Sequence, residues 1–149
     1  MTARRAICAR RQRNSEGGLF PKGAGERTAI LDTNLVIDIF NGYTPVKDGL
    51  AKFQKEEFKI AIFTKYEVLR GTTGANELKT RVFLDTFGLC DFNEAAMEES
   101  IAAYKRPASR GIDEVDLLIF GISKAHGERL ITRDVNLGRL GENVVVIKA

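Results

Sequence analysis

The sequence predicts an α/β fold, a three-layer α/β/α sandwich around a central, mainly parallel sheet. Short apolar segments that suit buried strands alternate along the chain with segments that have helical periodicity. Two of the strand segments lead into an aspartate, in Leu31-Asp32 and in Thr132-Arg133-Asp134. Because the carboxyl ends of parallel strands lie along one edge of a sheet, we expect these aspartates to be neighbours in a ligand site.

The first elements follow from strand and cap patterns. Residues 28–32 form an apolar run that predicts a strand, and Asn34 is the expected cap of a helix that reaches about residue 40. Pro45 opens a second helix, which ends in the charged run at residues 55–57. Together these segments predict a strand followed by two helices.

A second strand is predicted at residues 58–63, which are rich in β-branched and aromatic side chains. Thr64 follows as the expected N-cap of a helix, and Glu67 stands three residues later. This spacing matches a capping box, which requires no metal. For this pair considered alone, the capping box is the favoured interpretation.

The second half of the chain continues the alternation. Asp113 is the expected cap of a helix in which Asp116 takes the N3 position, and this helix ends at His126-Gly127. The remaining helices are predicted at about 76–87 and 94–105, and the remaining strands at 129–132 and 144–147.

Length and composition predict one ordinary domain. The chain has 149 residues, of which 44% are hydrophobic and 29% charged, and no apolar run is long enough to cross a membrane. Its two cysteines, Cys8 and Cys90, make a poor disulfide framework. We therefore expect a soluble protein of the reducing cytoplasm, with no membrane partner.

The positive charge is concentrated at the N-terminus. Residues 1–27 carry seven basic and two acidic side chains, a balance of +5, whereas the other 122 residues carry 16 basic and 18 acidic ones, a balance of −2. Residues 1–27 also contain several glycines and no apolar periodicity, which predicts a flexible basic extension before a domain at 28–149. The extension is either a phosphate-binding arm or the product of an upstream start or of cloning.

Four acidic residues stand at strand ends or in the first turns of helices: Asp32, Glu67, Asp116 and Asp134. Carboxylates a few ångströms apart destabilise one another unless a cation lies between them or one takes a proton. Four of them favour a hard divalent metal ion, for which carboxylate oxygens are the usual ligands.

The segments around these acids resemble the four motifs of the PIN domain family in order and spacing. They are Leu31-Asp32-Thr33-Asn34, Thr64-Lys65-Tyr66-Glu67, Asp116-Leu117-Leu118-Ile119 and Thr132-Arg133-Asp134, and the likeness covers residues 28–149. Within this family the chain is most similar to the small toxins of VapBC-type toxin–antitoxin pairs. The resemblance implies an endoribonuclease that depends on Mg²⁺ or Mn²⁺, with the acidic quartet as its catalytic and metal-binding residues.

One position departs from the family pattern. Many relatives carry a further acid two residues after the position of Asp134, where this chain has Asn136. This difference favours weak binding of a second metal ion, or the use of a single ion. His126, the only histidine, is at a helix end where it complements the helix dipole, so acid–base catalysis by a histidine pair is excluded.

Several polar residues are candidates for orienting the acids or for contacting substrate. Thr33, Asn34 and Thr132 are placed to orient Asp32 and Asp134 or to touch phosphate, although each also suits a cap or a strand end. Three arginines are predicted to contact the RNA backbone: Arg106, Arg110 and Arg133. Asp38 is expected to face solvent or to pair with a cation.

The resemblance also implies protein partners, namely a second copy of the chain in a homodimer and a small antitoxin that covers the metal site. Apolar faces of the helices at 46–57 and 76–88 are candidate interfaces, and core packing explains them equally well.

Other function classes stay open to different degrees. A haloacid-dehalogenase-type phosphatase needs an acid where Asn34 stands, and a response-regulator receiver needs a lysine after a late strand, where only Lys148 is present. The stronger alternatives are an RNA-processing nuclease outside a toxin pair and a silent PIN-like module that binds RNA or protein. Asn136 favours the silent module.

Overall fold

The computed structural model describes residues 27–148, and its strands form one five-stranded sheet in which every pairing is parallel. The order across the sheet is third, second, first, fourth, fifth, which confirms the predicted α/β architecture. The strands are β1 (Thr28–Leu31), β2 (Glu57–Ala61), β3 (Gly88–Cys90), β4 (Arg129–Thr132) and β5 (Val144–Val146).

Six α-helices connect the strands within these residues. They are α1 (Thr33–Phe40), α2 (Thr44–Leu50), α3 (Ile62–Arg70), α4 (Ala75–Leu84), α5 (Glu94–Tyr104) and α6 (Glu114–Ala125), with 3₁₀ turns at Ala51–Phe53, Pro107–Ser109 and Leu137–Arg139. None of the helices in residues 27–148 has the length and apolar character that crossing a membrane requires.

Alternate residues of the central strands enter two separate cores. Ile30 and Leu130 pack in one core with residues of α5 and α6, whereas Ala29, Leu31 and Ile131 pack in the other with residues of α1, α2 and α4. Successive strand side chains point to opposite faces of a sheet, so both faces are covered. This burial produces the three layers and explains why the middle residues of β1 and β4 are apolar on both faces of the sheet.

Two predicted helix starts are wrong. The structure begins α1 at Thr33 with Asp32 as the N-cap, so Asn34 is not the cap. It begins α3 at Ile62 with Ala61 as the N-cap, so β2 is shorter than predicted and Thr64 is not a capping residue. At α3, apolar residues suit a buried strand end and a buried helix start equally, so local pattern could not locate the boundary. At α1, both Asp32 and Asn34 are residue types that commonly cap helices, so local pattern could not choose between them.

The candidate interface at 46–57 is also corrected by the structure. Val46, Leu50 and Phe53 are buried in the second core, so they stabilise the fold instead of covering its surface. On α4, by contrast, Leu78 and Val82 are 68% and 63% exposed, which leaves the 76–88 face open to a partner. The predicted basic extension lies outside the described residues apart from Arg27.

Helices α5 and α6 approach each other closely at Gly121. A Cβ atom added at this glycine would lie 1.9 Å from the Ser100 Oγ atom and 2.5 Å from the Ala96 carbonyl oxygen. Both are far inside van der Waals contact, and the second belongs to the backbone. Only glycine therefore allows this helix pair to pack as it does, and the pair carries Asp116.

We predict that Gly121→Ala lowers the free energy of unfolding by about 3 kcal/mol, because the added methyl group must push the two helices apart. Urea denaturation followed by circular dichroism measures this change. Gly71→Ala is the matched control, because the nearest atom to its added Cβ would be 3.9 Å away. Equal unfolding midpoints for the two variants would contradict the close-approach argument.

Candidate active site

Asp32 lies at the carboxyl end of β1 and is 3% exposed. Its Oδ1 atom accepts a hydrogen bond from the Thr33 backbone N–H at 2.8 Å, and its Oδ2 atom accepts one from the Thr132 hydroxyl at 2.8 Å. The backbone N–H of Asp32 donates to the Ile131 carbonyl at 2.9 Å, which continues the pairing of β1 with β4. Both oxygens of this carboxylate are thus held in place.

Thr132 connects Asp32 to Asp134. While its hydroxyl donates to Asp32, the same oxygen accepts the Asp134 backbone N–H at 3.0 Å. The Asp134 Oδ1 atom in turn accepts the backbone N–H of Asn136 at 2.9 Å. The two aspartates from neighbouring strand ends are therefore oriented by one threonine and one tight turn.

Glu67 is oriented by a chain of two threonines. The Thr33 hydroxyl donates to the Glu67 Oε1 atom at 2.9 Å, and the Thr33 and Thr64 hydroxyl oxygens are 2.9 Å apart. A carboxylate only accepts, and each hydroxyl has one hydrogen, so Thr64 donates to Thr33 and Thr33 donates to Glu67. Thr64 is fully buried. The pair predicted as a capping box is instead part of a link between α1 and α3.

Asp116 occupies the N3 position of α6, behind the N-cap Asp113, as predicted from the sequence. The Asp113 side chain makes no capping hydrogen bond. Burial is the largest of the causes that raise the pKa of Asp116 to about 7, and the charges of Asp32, Asp113, Glu67 and Asp134 contribute to the same rise in that order of importance. The four acids from distant parts of the sequence thus act on one another electrostatically.

Asp32 responds to the same environment. Its burial raises its pKa above the ordinary value, while the hydrogen bonds from Thr132 and Thr33 act in the opposite direction. The negative charges of Asp134 and Glu67 raise this pKa as well. Protonation of a carboxylate is one relief from such repulsion, and a bound cation is the other.

The acidic quartet, of which Asp32 is buried and the other three acids are half-buried, differs from the buried carboxylates of Glu56 and Glu128 in having no cationic partner among residues 27–148. Glu128 forms an ion pair with Lys59 at 2.6 Å, and Glu56 forms one with Arg129. In the described part of the chain, no lysine, arginine or histidine forms an ion pair with any of the four quartet acids. Negative charge is therefore left uncompensated at this edge of the sheet.

The donor set fits a divalent cation of the Mg²⁺ type. In residues 27–148, no three acidic, cysteine or histidine side chains form a ready cage for an ion. Mg²⁺ does not require one, because it retains several waters and binds through one or two carboxylates together with substrate phosphates. Asp32, Glu67, Asp116 and Asp134 supply only oxygen donors, and the hydroxyls and amides that orient three of them leave other lone pairs free.

The predicted arginines differ in their availability. Arg133 forms an ion pair with Asp38 at 3.0 Å and lies over the Tyr43 ring. Of the two roles expected for Asp38, solvent exposure or pairing with a cation, the structure has the second. Arg106 donates to the Leu140 carbonyl and lies over the Phe120 ring. Arg110 is exposed and forms no ion pair with the described carboxylates.

Sequence reasoning missed Thr64 as an orienting residue. The only local signal was its spacing from Glu67, which the capping-box interpretation absorbed. Its hydroxyl partner, Thr33, is 31 residues earlier in the chain, and only the adjacency of β1 and β2 brings the two together. Asn34, which was expected to orient an aspartate, is exposed in the first turn of α1.

We predict that Asp32→Asn lowers the pKa of Asp116, because it removes a negative charge that favours the protonated form. Titration of the carboxyl carbons by NMR in metal-free buffer measures this. Asp48→Asn, an exposed change on α2, is the control and should leave the Asp116 pKa at about 7. An unchanged titration in Asp32→Asn would show that the two carboxylates do not interact.

The same pKa has a consequence for stability. Between pH 3.8 and about 7 the folded protein retains a proton on Asp116 that the unfolded chain releases. The contribution of Asp116 to the free energy of unfolding therefore falls as the pH rises through this range and is constant above it. Asp116→Asn should remove this part of the pH dependence.

Three solved structures have a fold similar to that of this chain. A toxin–antitoxin complex from Klebsiella pneumoniae matches with 27% identity and a TM-score of 0.67, covering 79% of this chain and 96% of that one. VapBC2 from Rickettsia felis, bound to a DNA fragment from its promoter, matches with 18% identity and a TM-score of 0.65, covering 81% and 99%. FitAcB from Neisseria gonorrhoeae matches with 20% identity and a TM-score of 0.64, covering 80% and 96%.

Comparison with curated protein sequences gave no match. The family model for the PIN domain, in contrast, matches residues 29–143, which include all four quartet acids. On this match, the chain belongs to the PIN domain family.

Proposed function

We propose that this protein is an endoribonuclease that requires Mg²⁺ or Mn²⁺ and that it is the toxin of a toxin–antitoxin pair. The observation that carries the proposal is the acidic quartet, whose members raise the pKa of Asp116 and have no cationic partner in the described chain. PIN domains are generally nucleases, and the similar structures include toxin–antitoxin complexes.

In this proposal the protein's own side chains hold the metal ion, orient its ligands and balance its positive charge. Asp32 and Asp134 hold the metal ion, Thr132 fixes their relative orientation, and Asp116 and Glu67 complete the oxygen set. A bound Mg²⁺ or Mn²⁺ ion would supply a water of lowered pKa and neutralise charge that develops on the phosphate. Covalent catalysis by a serine, cysteine or histidine is then unnecessary.

Substrate binding and location follow from the same chemistry. An acidic centre repels a polyanion, so RNA must be held by local cations, of which Arg110 is the most accessible of the three predicted arginines. Arg106 and Arg133 retain further N–H donors beyond their internal contacts. Because the proposed substrate is RNA, we place the protein in the cytoplasm.

Two protein partners belong to the proposal, a small antitoxin and a second copy of the chain. The similar structure from Klebsiella pneumoniae is a toxin–antitoxin complex. Several large apolar side chains on α1, α3, α4 and α5 are more than a third exposed and offer surface for such contacts: Ile37, Phe40, Tyr66, Leu78, Val82, Met97, Ile101 and Tyr104.

Two alternatives remain distinguishable by experiment. An RNA-processing nuclease would share the chemistry but lack a partner, so a short antitoxin gene beside this one would favour the toxin. A silent module would bind RNA or protein without cleavage. Asn136 favours this alternative, because the carboxylate that many relatives carry at this position would supply one more metal ligand. In that case Asn136→Asp is the first substitution by which to restore activity.

We predict that the wild-type protein cleaves total RNA with Mg²⁺ or Mn²⁺ and not with EDTA. Asp32→Asn and Asp134→Asn should each reduce the cleavage rate at least about 100-fold, because each removes a metal ligand. Gel or sequencing analysis of the fragments measures the rate and the cleavage positions.

Asp48→Asn is the control for this experiment, because Asp48 is exposed on α2 and lies outside the quartet. Undiminished cleavage by both quartet variants would place the nuclease activity elsewhere or in a contaminant. A wild-type protein that binds RNA without cutting it would support the silent module.

We predict that Thr64→Val lowers the turnover rate about tenfold and leaves RNA affinity unchanged, because it removes the hydroxyl that orients Thr33 and, through it, Glu67. Thr64→Ser retains the hydroxyl and should retain most of the activity. Turnover is measured under saturating metal, and RNA affinity by fluorescence polarisation in EDTA. An equal loss in both variants would indicate a packing effect instead.

A further inference from the structure

A basic cavity lies beside the start of α6, the helix that carries Asp116. It has a volume of about 460 Å³ and lies between the end of α5, the 3₁₀ turn at Pro107–Ser109 and the residues that lead into α6. Its walls include three cations and one aromatic ring, from Lys105, Arg106, Arg110 and Tyr104. Leu117, the neighbour of Asp116 in the chain, also lines it, so the cavity lies close to the candidate active site.

The positive charge of this cavity is uncompensated. No aspartate or glutamate lines it, and no described carboxylate forms an ion pair with any of its three cations. Arg106 is held by the Leu140 carbonyl and the Phe120 ring, so its guanidinium is already oriented. Because residues 28–149 carry a net charge of −2, this basic cavity is a local feature and attracts an anion.

An apolar cavity of about 250 Å³ shares two of its walls with the basic one. Tyr104 and Leu117 line both cavities, and Met97, Ile101 and Leu118 line the apolar one. Tyr104 is 71% exposed, so one face of its ring is open to a ligand. Glu114 lies on the apolar side, where its charge would repel a phosphate.

One of the two cavities is basic and the other is apolar, which matches the anionic phosphate and the flat apolar base of a nucleotide. We infer that they bind one nucleotide of the RNA substrate next to the cleaved bond. Arg110 and Lys105 contact its phosphate, and Tyr104 stacks on its base, which sits over the apolar cavity. Unstacked bases of single-stranded RNA are commonly held by aromatic side chains, and phosphates by arginine. The inference rests on the proposed ribonuclease function and assigns Tyr104 and Arg110 as positioning residues for its substrate.

Binding of a fluorescent, unstructured 12-nucleotide RNA in EDTA tests the inference without cleavage. Tyr104→Ala should weaken binding roughly 5-fold to 100-fold, whereas Tyr104→Phe should bind like the wild type because it retains the stacking face. Arg110→Ala should weaken binding about fivefold and reduce the slope of log affinity against log salt by about 0.7, the contribution of one phosphate contact. Tyr104→Ala should leave that slope unchanged.

Arg81→Ala is the matched control, because it removes a half-exposed cation from α4, outside both cavities. All variants retain the same basic residues at 1–27, so differences between them report on the cavities. Thermal denaturation verifies that each variant is folded, and an acidic peptide of similar charge is the competitor.

The outcomes separate this inference from the proposed function. If wild type cleaves RNA while the Tyr104 and Arg110 variants bind it as wild type does, the nucleotide site is wrong and the nuclease stands. If the variants lose binding but wild type never cleaves, the site stands and the nuclease is wrong. The nucleotide site is overturned if the acidic peptide displaces the labelled RNA as well as unlabelled RNA does, or if the wild-type protein does not bind RNA.

Discussion

The parallel pairing of β1 with β4 is the constraint on which the candidate site depends. The register places Leu31 beside Ile131, so the next residues, Asp32 and Thr132, lie side by side at the carboxyl edge of the sheet. One hydroxyl then joins the two strand ends, donating to the Asp32 carboxylate and accepting the Asp134 backbone N–H. A change in this pairing would separate the acids and break the hydrogen bond from Thr132 to Asp32, because that bond joins the two strands and alternate strand residues point to opposite faces.

Burial without a cationic partner gives the site its chemical character. Elsewhere the protein pairs its buried carboxylates with lysine or arginine, as Glu128 with Lys59 shows. At the quartet it provides only threonine hydroxyls and backbone amides, which orient the carboxylates without neutralising them. The repulsion costs stability, and the two cores on either side of the sheet offset that cost. A centre arranged in this way favours a cation over a proton as the pH rises.

A cluster of carboxylates would repel a polyanion such as the proposed RNA substrate, and the positive charge near this centre counters that repulsion. Arg110 and Lys105 concentrate positive charge in a cavity next to the helix that carries Asp116. Tyr104 separates this basic cavity from an apolar one, which suits a ligand with an anionic end and a flat apolar end. The close packing of α5 on α6 at Gly121 maintains both cavities and the position of Asp116.

The α/β alternation, the approximate elements and the four candidate acids could be predicted from the sequence, because apolar periodicity and the position of a residue at a strand end are local properties. Asp116 at the N3 position of its helix was likewise readable from spacing. The start of α3 could not be predicted, since Ile62 and Phe63 suit a strand or a helix equally and only packing favours the helix. The start of α1 could not be predicted either, since Asp32 and Asn34 are both common capping residues. The role of Thr64 depends on the tertiary structure, because its partner Thr33 is 31 residues earlier in the chain and the two meet only when the sheet and its helices assemble. The cavity beside Tyr104 is lined by residues that are close in the chain, and its shape depends on how the end of α5 packs against the start of α6.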